Sequence, residues 1–127
     1  MLLTSTVVIT AAQKVTRIGK AMTTLTDWIS QQQFYHQRKQ NAWNRALPVI
    51  GYDQDKVRKD AYGSFIVWNE YGQQTTYGWE IDHELPRAHF PTIAAQPNNQ
   101  RALHWRNNRT KSDKIDMNTI RRIAGGL

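Results

Sequence analysis

Two stretches decide the fold, GWEIDHELP at residues 78–86 and NNQRALHWRNNRTKSD at residues 98–113. In the first stretch, Trp79 and Ile81 alternate with acidic residues, which is typical of a short strand with one buried face. Pro86 marks the end of that strand because proline cannot continue a hydrogen-bonded ladder. Residues 100–103 can return as the second strand of a hairpin, and from about Arg106 the chain favours a helix.

The remaining segments complete an α+β fold with an N-terminal helical extension. Apolar residues recur every seven positions from residue 28 to residue 42, which predicts a helix. Thr26 or Asp27 can cap its start, and it ends before Pro48. The segment 56–62 resembles a short polar helix or turn, and 64–69 suits either a strand or a buried helical turn. A last helix is predicted over 115–123, and Asn107 is a candidate cap for the helix before it.

A length of 127 residues fits one domain with one modest core. We predict a flexible or loosely packed segment at 1–25, which is rich in threonine and lacks a clear period. The domain itself should cover 26–127, with a motif core at 78–114.

The charge of the chain favours a polyanionic partner. Seventeen basic and ten acidic residues give a net charge of +7, and nucleic acid is the first expected partner, ahead of an anionic membrane surface. Since cysteine is absent, neither a disulfide framework nor a cysteine zinc site is possible. No apolar run reaches the roughly 20 residues of a membrane span. The apolar start at 1–12 has no basic residue ahead of it, so we predict a cytoplasmic protein.

The two stretches also carry an ordered set of chemical groups. Asp82 stands beside His83, Asn99 follows sixteen positions later, and Asn108 nine positions after that. Together with the RTKSD that follows Asn108, this order resembles the HNH endonuclease family, the His-Me finger nucleases. RKDAYG at 58–63 and YGWEI at 77–81 look like its small bacterial and phage members, so the resemblance covers residues 52–114.

The resemblance implies a ββα-metal fold and a role for each of these residues. His83 would be the general base, Asp82 and Asn108 would be metal ligands, and Asn99 would pin the loop. Independently, a neutral histidine suits proton abstraction from water near pH 7. Carboxylate and amide oxygens suit Mg²⁺, with Mn²⁺ possible. DNA contacts are expected from the basic residues of the same segments, Arg87, Arg106, Arg109 and Lys111, although Arg87 could equally be a solvated loop residue.

The sequence departs from the family pattern at several points. The loop after His83 lacks the usual Gly-Gly pair, and its greater length leaves Asn98 as an alternative to Asn99. The Cys-x-x-Cys pairs are absent, so no structural zinc is expected. His104 lies four residues before Asn108 and could share a helix face with it as a further ligand, although closing the second strand is the alternative.

The sequence therefore predicts a metal-dependent DNA endonuclease, with a homodimer possible because one site nicks one strand. A non-catalytic nucleic-acid-binding protein with the same fold is the alternative. A nuclease toxin delivered to competitors is a third reading.

Overall fold

The computed structural model describes residues 24–125, which form three α-helices and two small antiparallel sheets. The helices are α1 (Leu25–Asn44), α2 (Trp105–Lys111) and α3 (Met117–Gly125). The strands are β1 (Leu47–Pro48), β2 (Val57–Lys59), β3 (Phe65–Val67), β4 (Trp79–His83) and β5 (Gln100–His104). The predicted α+β class is confirmed. Within the described range, no helix is both long and apolar enough to span a membrane.

The chain divides into two compact units, residues 1–37 and 38–127, with the boundary inside α1. In the first unit the described part is the beginning of α1, where the Thr24 hydroxyl accepts a hydrogen bond of 3.1 Å from the Asp27 amide. The helix therefore starts slightly before the predicted caps. The predicted segment 1–25 lies almost wholly outside the described residues and stays a prediction.

In the second unit, β1, β2 and β3 form an antiparallel sheet in which Val57 pairs with Val67. The prediction of a helix or turn at 56–62 was wrong for Val57–Lys59, which form β2, whereas the chain does turn after them, where the Gly63 amide donates to the Asp60 carbonyl at 3.0 Å. The polar sequence did not indicate a strand, because it does not show that Arg58 is buried. The guanidinium of Arg58 donates to the carbonyl oxygens of Asn44 at 3.3 Å and Ala46 at 3.0 Å. Those carbonyls lie where α1 ends and lack helical partners, so the buried guanidinium and the carbonyls satisfy each other's hydrogen bonds. The segment 64–69 combines both predicted forms, a strand followed by a 3₁₀ turn at Trp68–Glu70.

Three tryptophans form the centre of the core. The ring centroids of Trp43 and Trp79 lie 5.2 Å apart, and that of Trp68 lies 5.4 Å from Trp43. Trp43 and Trp79 are buried, and each indole N–H is satisfied by a backbone carbonyl, that of Gln54 at 3.0 Å and that of Val67 at 2.9 Å. Large aromatic surfaces thus bind the end of α1 to both sheets without unpaired polar atoms.

Strands β4 and β5 form an antiparallel hairpin that leads directly into α2. Trp79 pairs with His104, and His83 pairs with Gln100 at the other end. His104, rather than the predicted Asn107, caps α2, because its Nδ1 accepts from the Arg106 amide at 3.1 Å. An accepting Nδ1 leaves the proton on Nε2, which donates to the Thr76 carbonyl at 2.8 Å. Both ring nitrogens are engaged, so His104 closes the second strand and is not placed to bind a metal.

Candidate functional site

One open pocket of about 260 Å³ lies at the end of β4. Asp82, His83 and Asn108 all line it, and Arg87 and Asp113 form part of its rim. The structure therefore brings together the residues that the sequence nominated as base and as metal ligands. Neighbouring residues of a regular strand point to opposite faces, but β4 ends at His83, which allows both side chains to reach one cavity.

His83 is half-buried in this pocket. Burial lowers the pKa of its imidazole below the ordinary value, and the negative charge of Asp82 only partly offsets this effect. The ring is therefore neutral at pH 7 and has a free lone pair for a proton. This is the protonation state that a general base requires.

The carboxylate of Asp82 is buried and held by two cations. Its Oδ2 lies 2.9 Å from Arg101 Nε, and its Oδ1 lies 3.0 Å from Lys111 Nζ. Lys111 also donates to the His83 carbonyl at 3.0 Å. The two residues of the Asp-His pair are thus fixed by the same ammonium group.

Lys111 requires a correction, because we expected it to contact DNA from the surface. It is only 4% exposed, and its charge is used inside the protein. Its position three residues after Asn108 places both side chains on the face of α2 that covers β4. Lys111 is consequently a support of Asp82. Arg87, Arg106 and Arg109 are exposed, and their contact with DNA stays a prediction.

Asn108 is half-buried and oriented by a residue that the sequence reading missed. Its Nδ2 donates to Glu80 Oε2 at 2.8 Å, and Arg109 reaches the other oxygen of Glu80 at 3.2 Å. With the amide nitrogen so engaged, the carbonyl oxygen of Asn108 is the atom that could serve as a ligand. Glu80 was detectable in principle, since residues two apart on a strand share a face, and Glu80 and Asp82 belong to one such pair.

Asn99 bridges the two ends of the loop between β4 and β5. It is 3% exposed, accepts from the Leu85 amide at 2.8 Å and donates to the carbonyls of Leu85 at 3.0 Å and Ala94 at 3.3 Å. The side chain of Asn98 is exposed, and only its backbone carbonyl is used, by Arg45 at 2.9 Å. Of the two asparagines, Asn99 is the one whose amide spans the loop.

A second layer of charges lies behind the pocket. Arg101 contacts Asp116 as well as Asp82, and the Tyr62 hydroxyl donates to Asp116 at 2.6 Å. Burial alone would raise the pKa of Asp116, but hydrogen bonds from Tyr62, Thr119 and Arg101 hold it well below its ordinary value. The sequence analysis did not identify this layer.

Glu84, the residue after His83, ties the pocket to both flanking helices. It is fully buried and receives hydrogen bonds from Arg45, which directly follows α1, and from Thr119 at 3.2 Å and Arg122 at 2.9 Å on α3. Burial would raise the pKa of Glu84, but Arg45 and Arg122 keep it below the ordinary value. The end of β4 is therefore anchored from two sides.

The donor set fits a hard, largely hydrated cation better than a closed metal cage. Among residues 24–125 no group of three or more His, Asp and Glu side chains could hold a metal. The pocket nevertheless offers a carboxylate from Asp82 and an amide oxygen from Asn108, and Mg²⁺ commonly uses one or two carboxylates with water and substrate oxygens. Both oxygens of Asp82 already accept hydrogen bonds, one from Arg101 and one from Lys111, so a cation would share the carboxylate with these two groups.

No protein-family model matches the chain, and neither a curated protein nor a solved structure does so.

Proposed function

We propose that the chain is a metal-dependent DNA endonuclease of the HNH type, in which β4, β5 and α2 serve as the ββα-metal unit. The observation that carries the proposal is the pocket in which a neutral, half-buried His83 meets Asp82 and Asn108. Exposed Arg87 at its rim adds a positive charge where a phosphate would enter. The net charge of +7 supports a polyanionic substrate.

Phosphodiester hydrolysis needs a base for water and positive charge for the phosphate. His83 would take the proton of the attacking water, because burial keeps its ring neutral at pH 7. A bound Mg²⁺ or Mn²⁺, held by Asp82 and Asn108, would supply the charge that stabilises the phosphate oxygens. Arg87 would orient the phosphate, and the loop bridged by Asn99 would keep His83 in place.

Lys111 and Arg101 belong to this proposal as positioning residues. Each carboxylate oxygen of Asp82 has two lone pairs and can accept one hydrogen bond while facing another partner. The two contacts at 2.9 and 3.0 Å fix the rotation of the carboxylate. Fixing it before substrate binds reduces the ordering cost that catalysis would otherwise include.

Plasmid nicking tests the proposal directly. Supercoiled DNA would be incubated with the purified full-length protein in Mg²⁺, in Mn²⁺ and in EDTA, and the relaxed form would be quantified by gel electrophoresis. We expect metal-dependent nicking by wild type and a loss of about 10² to 10⁴ in rate for His83→Ala. His36→Ala is the matched control, since His36 is exposed on α1 and outside the pocket. Full activity of His83→Ala, or no nicking by wild type in either metal, would sink the proposal.

One observation favours a second function, a non-catalytic nucleic-acid-binding protein. Both oxygens of Asp82 are already engaged by Arg101 and Lys111, so the buried carboxylate is satisfied without any metal. This function predicts DNA binding that persists in EDTA and weakens steeply with salt, without cleavage in any divalent metal. Nicking by wild type that is lost in His83→Ala would exclude it.

A further inference from the structure

A second pocket, outside the site described above, is walled by aromatic rings. Its volume is about 180 Å³, and its lining residues are Tyr52, Val57, Phe65, Val67 and Tyr77. The three aromatic residues are 60%, 40% and 44% exposed, although rings of this size usually pack in a core or an interface. The core already contains its own tryptophans, so these rings form a separate open surface on the β2–β3 side of the domain.

Positive charge lies at one end of this aromatic pocket. Phe65 and Tyr77 also line an adjoining cavity of about 350 Å³ that reaches Arg106, which is exposed. Lys59 Nζ lies 5.3 Å from the centroid of the Phe65 ring. Asp60, which follows Lys59, is fully buried and accepts four N–H hydrogen bonds, so its oxygens are not available to form an ion pair with Lys59 at the surface.

We propose that this aromatic pocket binds an unpaired nucleobase of the substrate, while Arg106 and Lys59 contact the adjoining phosphates. Flat rings beside cations are the combination that single-stranded nucleic acids need, because bases stack on aromatic side chains and the backbone follows positive charge. The substrate class would then be nucleic acid with single-stranded character close to the cut. This inference rests on the proposed nuclease function for its link to cleavage.

The helix α2 lies between the adjoining cavity and the pocket of His83. Arg106 lines the adjoining cavity, whereas Asn108 lines the pocket of His83. Residues two apart on a helix point about 200° apart, so these two cavities flank α2, whose diameter with side chains is about 10–12 Å. The aromatic pocket shares Phe65 and Tyr77 with the adjoining cavity and continues from it. A few nucleotides of a single strand can cross that distance. The base in the aromatic pocket would therefore belong to a nucleotide near the scissile phosphate.

A proline-rich peptide is the other ligand that docks on aromatic-lined surfaces. The chain disfavours it, because a net charge of +7 and the flanking Arg106 and Lys59 attract a polyanion rather than a largely uncharged helix. Exposed Asp53 and Asp55 lie in the segment next to Tyr52, so the phosphates are expected at the Phe65 and Tyr77 end.

Fluorescence anisotropy in EDTA tests the pocket without cleavage. The probes are one labelled oligonucleotide as single-stranded DNA, its RNA counterpart, the same DNA in a full duplex, and a labelled proline-rich peptide. Wild type should bind the single strand about ten-fold more tightly than the duplex at equal salt. The RNA strand should also bind more tightly than the duplex, because stacking engages the base rather than the sugar. Equal affinity for single strand and duplex, or binding of the peptide alone, would overturn the proposal.

Variants separate ring stacking from general apolar packing. The double variant Phe65→Leu, Tyr77→Leu keeps apolar side chains but removes both rings, and should lose about ten-fold or more in single-strand affinity. Its duplex affinity should stay within about two-fold, since phosphate contacts dominate there. Tyr35→Leu is the control, because Tyr35 is an aromatic residue that is 54% exposed on α1. This variant should bind the single strand like wild type.

The design also covers misfolding and failure of the nuclease proposal. Circular dichroism checks each variant, and if the double variant does not fold, Tyr52→Leu serves, because Tyr52 is largely exposed and outside the strands. Folded ring-free variants that bind single strands like wild type contradict the proposal. Binding is measured in EDTA, where no metal-dependent cleavage occurs, so a failed binding result would not affect the conclusion from plasmid nicking. Single-strand binding without nicking would remove the nuclease and keep the pocket.

Discussion

Replacing Asn99 with alanine should open the loop that supports His83. The wild-type side chain makes three hydrogen bonds, one accepted from the Leu85 amide and two donated to the carbonyls of Leu85 and Ala94. Asn98→Ala is the matched control, because it makes the same chemical change one residue earlier at an exposed side chain. Comparing the two variants also shows which asparagine stabilises the loop between β4 and β5.

The magnitude follows from counting the groups left unpaired. Each hydrogen bond contributes about 1 kcal/mol net, and a buried group left without a partner costs roughly 1–3 kcal/mol. The bond to Ala94 is long, at 3.3 Å, and those to Leu85 are only partly buried, which favours the lower part of that range. We expect Asn99→Ala to lower the free energy of unfolding by about 2–3 kcal/mol, or roughly 8–12 °C in Tm. Asn98→Ala should change it by less than about 0.5 kcal/mol.

Urea denaturation followed by tryptophan fluorescence measures both variants, because Trp43 and Trp79 report on the core. Limited proteolysis adds a local readout, with new cleavage expected between residues 86 and 98 in Asn99→Ala only. Equal stability of the two variants would refute the reasoning. A larger loss of stability in Asn98→Ala than in Asn99→Ala would also refute it, because the loop would then depend on Asn98.

Two further predictions concern the support of the site. Asp116 has a depressed folded pKa because contacts with Tyr62 and Arg101 outweigh its burial, so it stabilises the fold above its unfolded pKa of about 3.9 and that contribution is lost as pH falls further. The Asp116→Asn variant should therefore be less stable than wild type at pH 7, and its stability should fall less steeply below about pH 4. Denaturation at several pH values measures both effects. An unchanged slope of stability against pH would contradict this prediction. At Gly78, an added Cβ would lie 1.8 Å from a loop carbonyl oxygen, and Gly78→Ala should cost about 3 kcal/mol. Gly125→Ala is its control, since nothing lies within 4 Å there, and equal thermal melts of the two would refute the clash.

The hairpin and the helix after it were predictable because each carries a local signal. Alternation of Trp79 and Ile81 with acidic residues specified β4, and Pro86 bounded it. The order of Asp82, His83 and Asn108 then sufficed to nominate three side chains that the structure places around one cavity. Periodicity and turn chemistry act over a few residues, so the sequence displays them directly.

The ion-pair layer was not predictable because it depends on strand register. Arg101 lies directly opposite Asp82 in the hairpin, and a shift of one residue would turn it to the other face. Arg58 shows the same difficulty, since a basic residue in a polar stretch gives no sign that helix-end carbonyls will receive it. A count of charges along the chain treats all of them as solvated. Only the fold separates those that contact each other from those that face water.

The buried charges explain how Asp82 can be held ready inside the domain. Asp82 and Asp116 are matched by Arg101 and Lys111, so the cluster as a whole is neutral and each carboxylate is hydrogen-bonded. Under the proposed function, a divalent cation beside Asp82 would leave this cluster with excess positive charge. A phosphodiester carries one negative charge and offsets part of this excess. Under the proposed function, the charge balance therefore favours joint binding of cation and nucleic acid over binding of the cation alone.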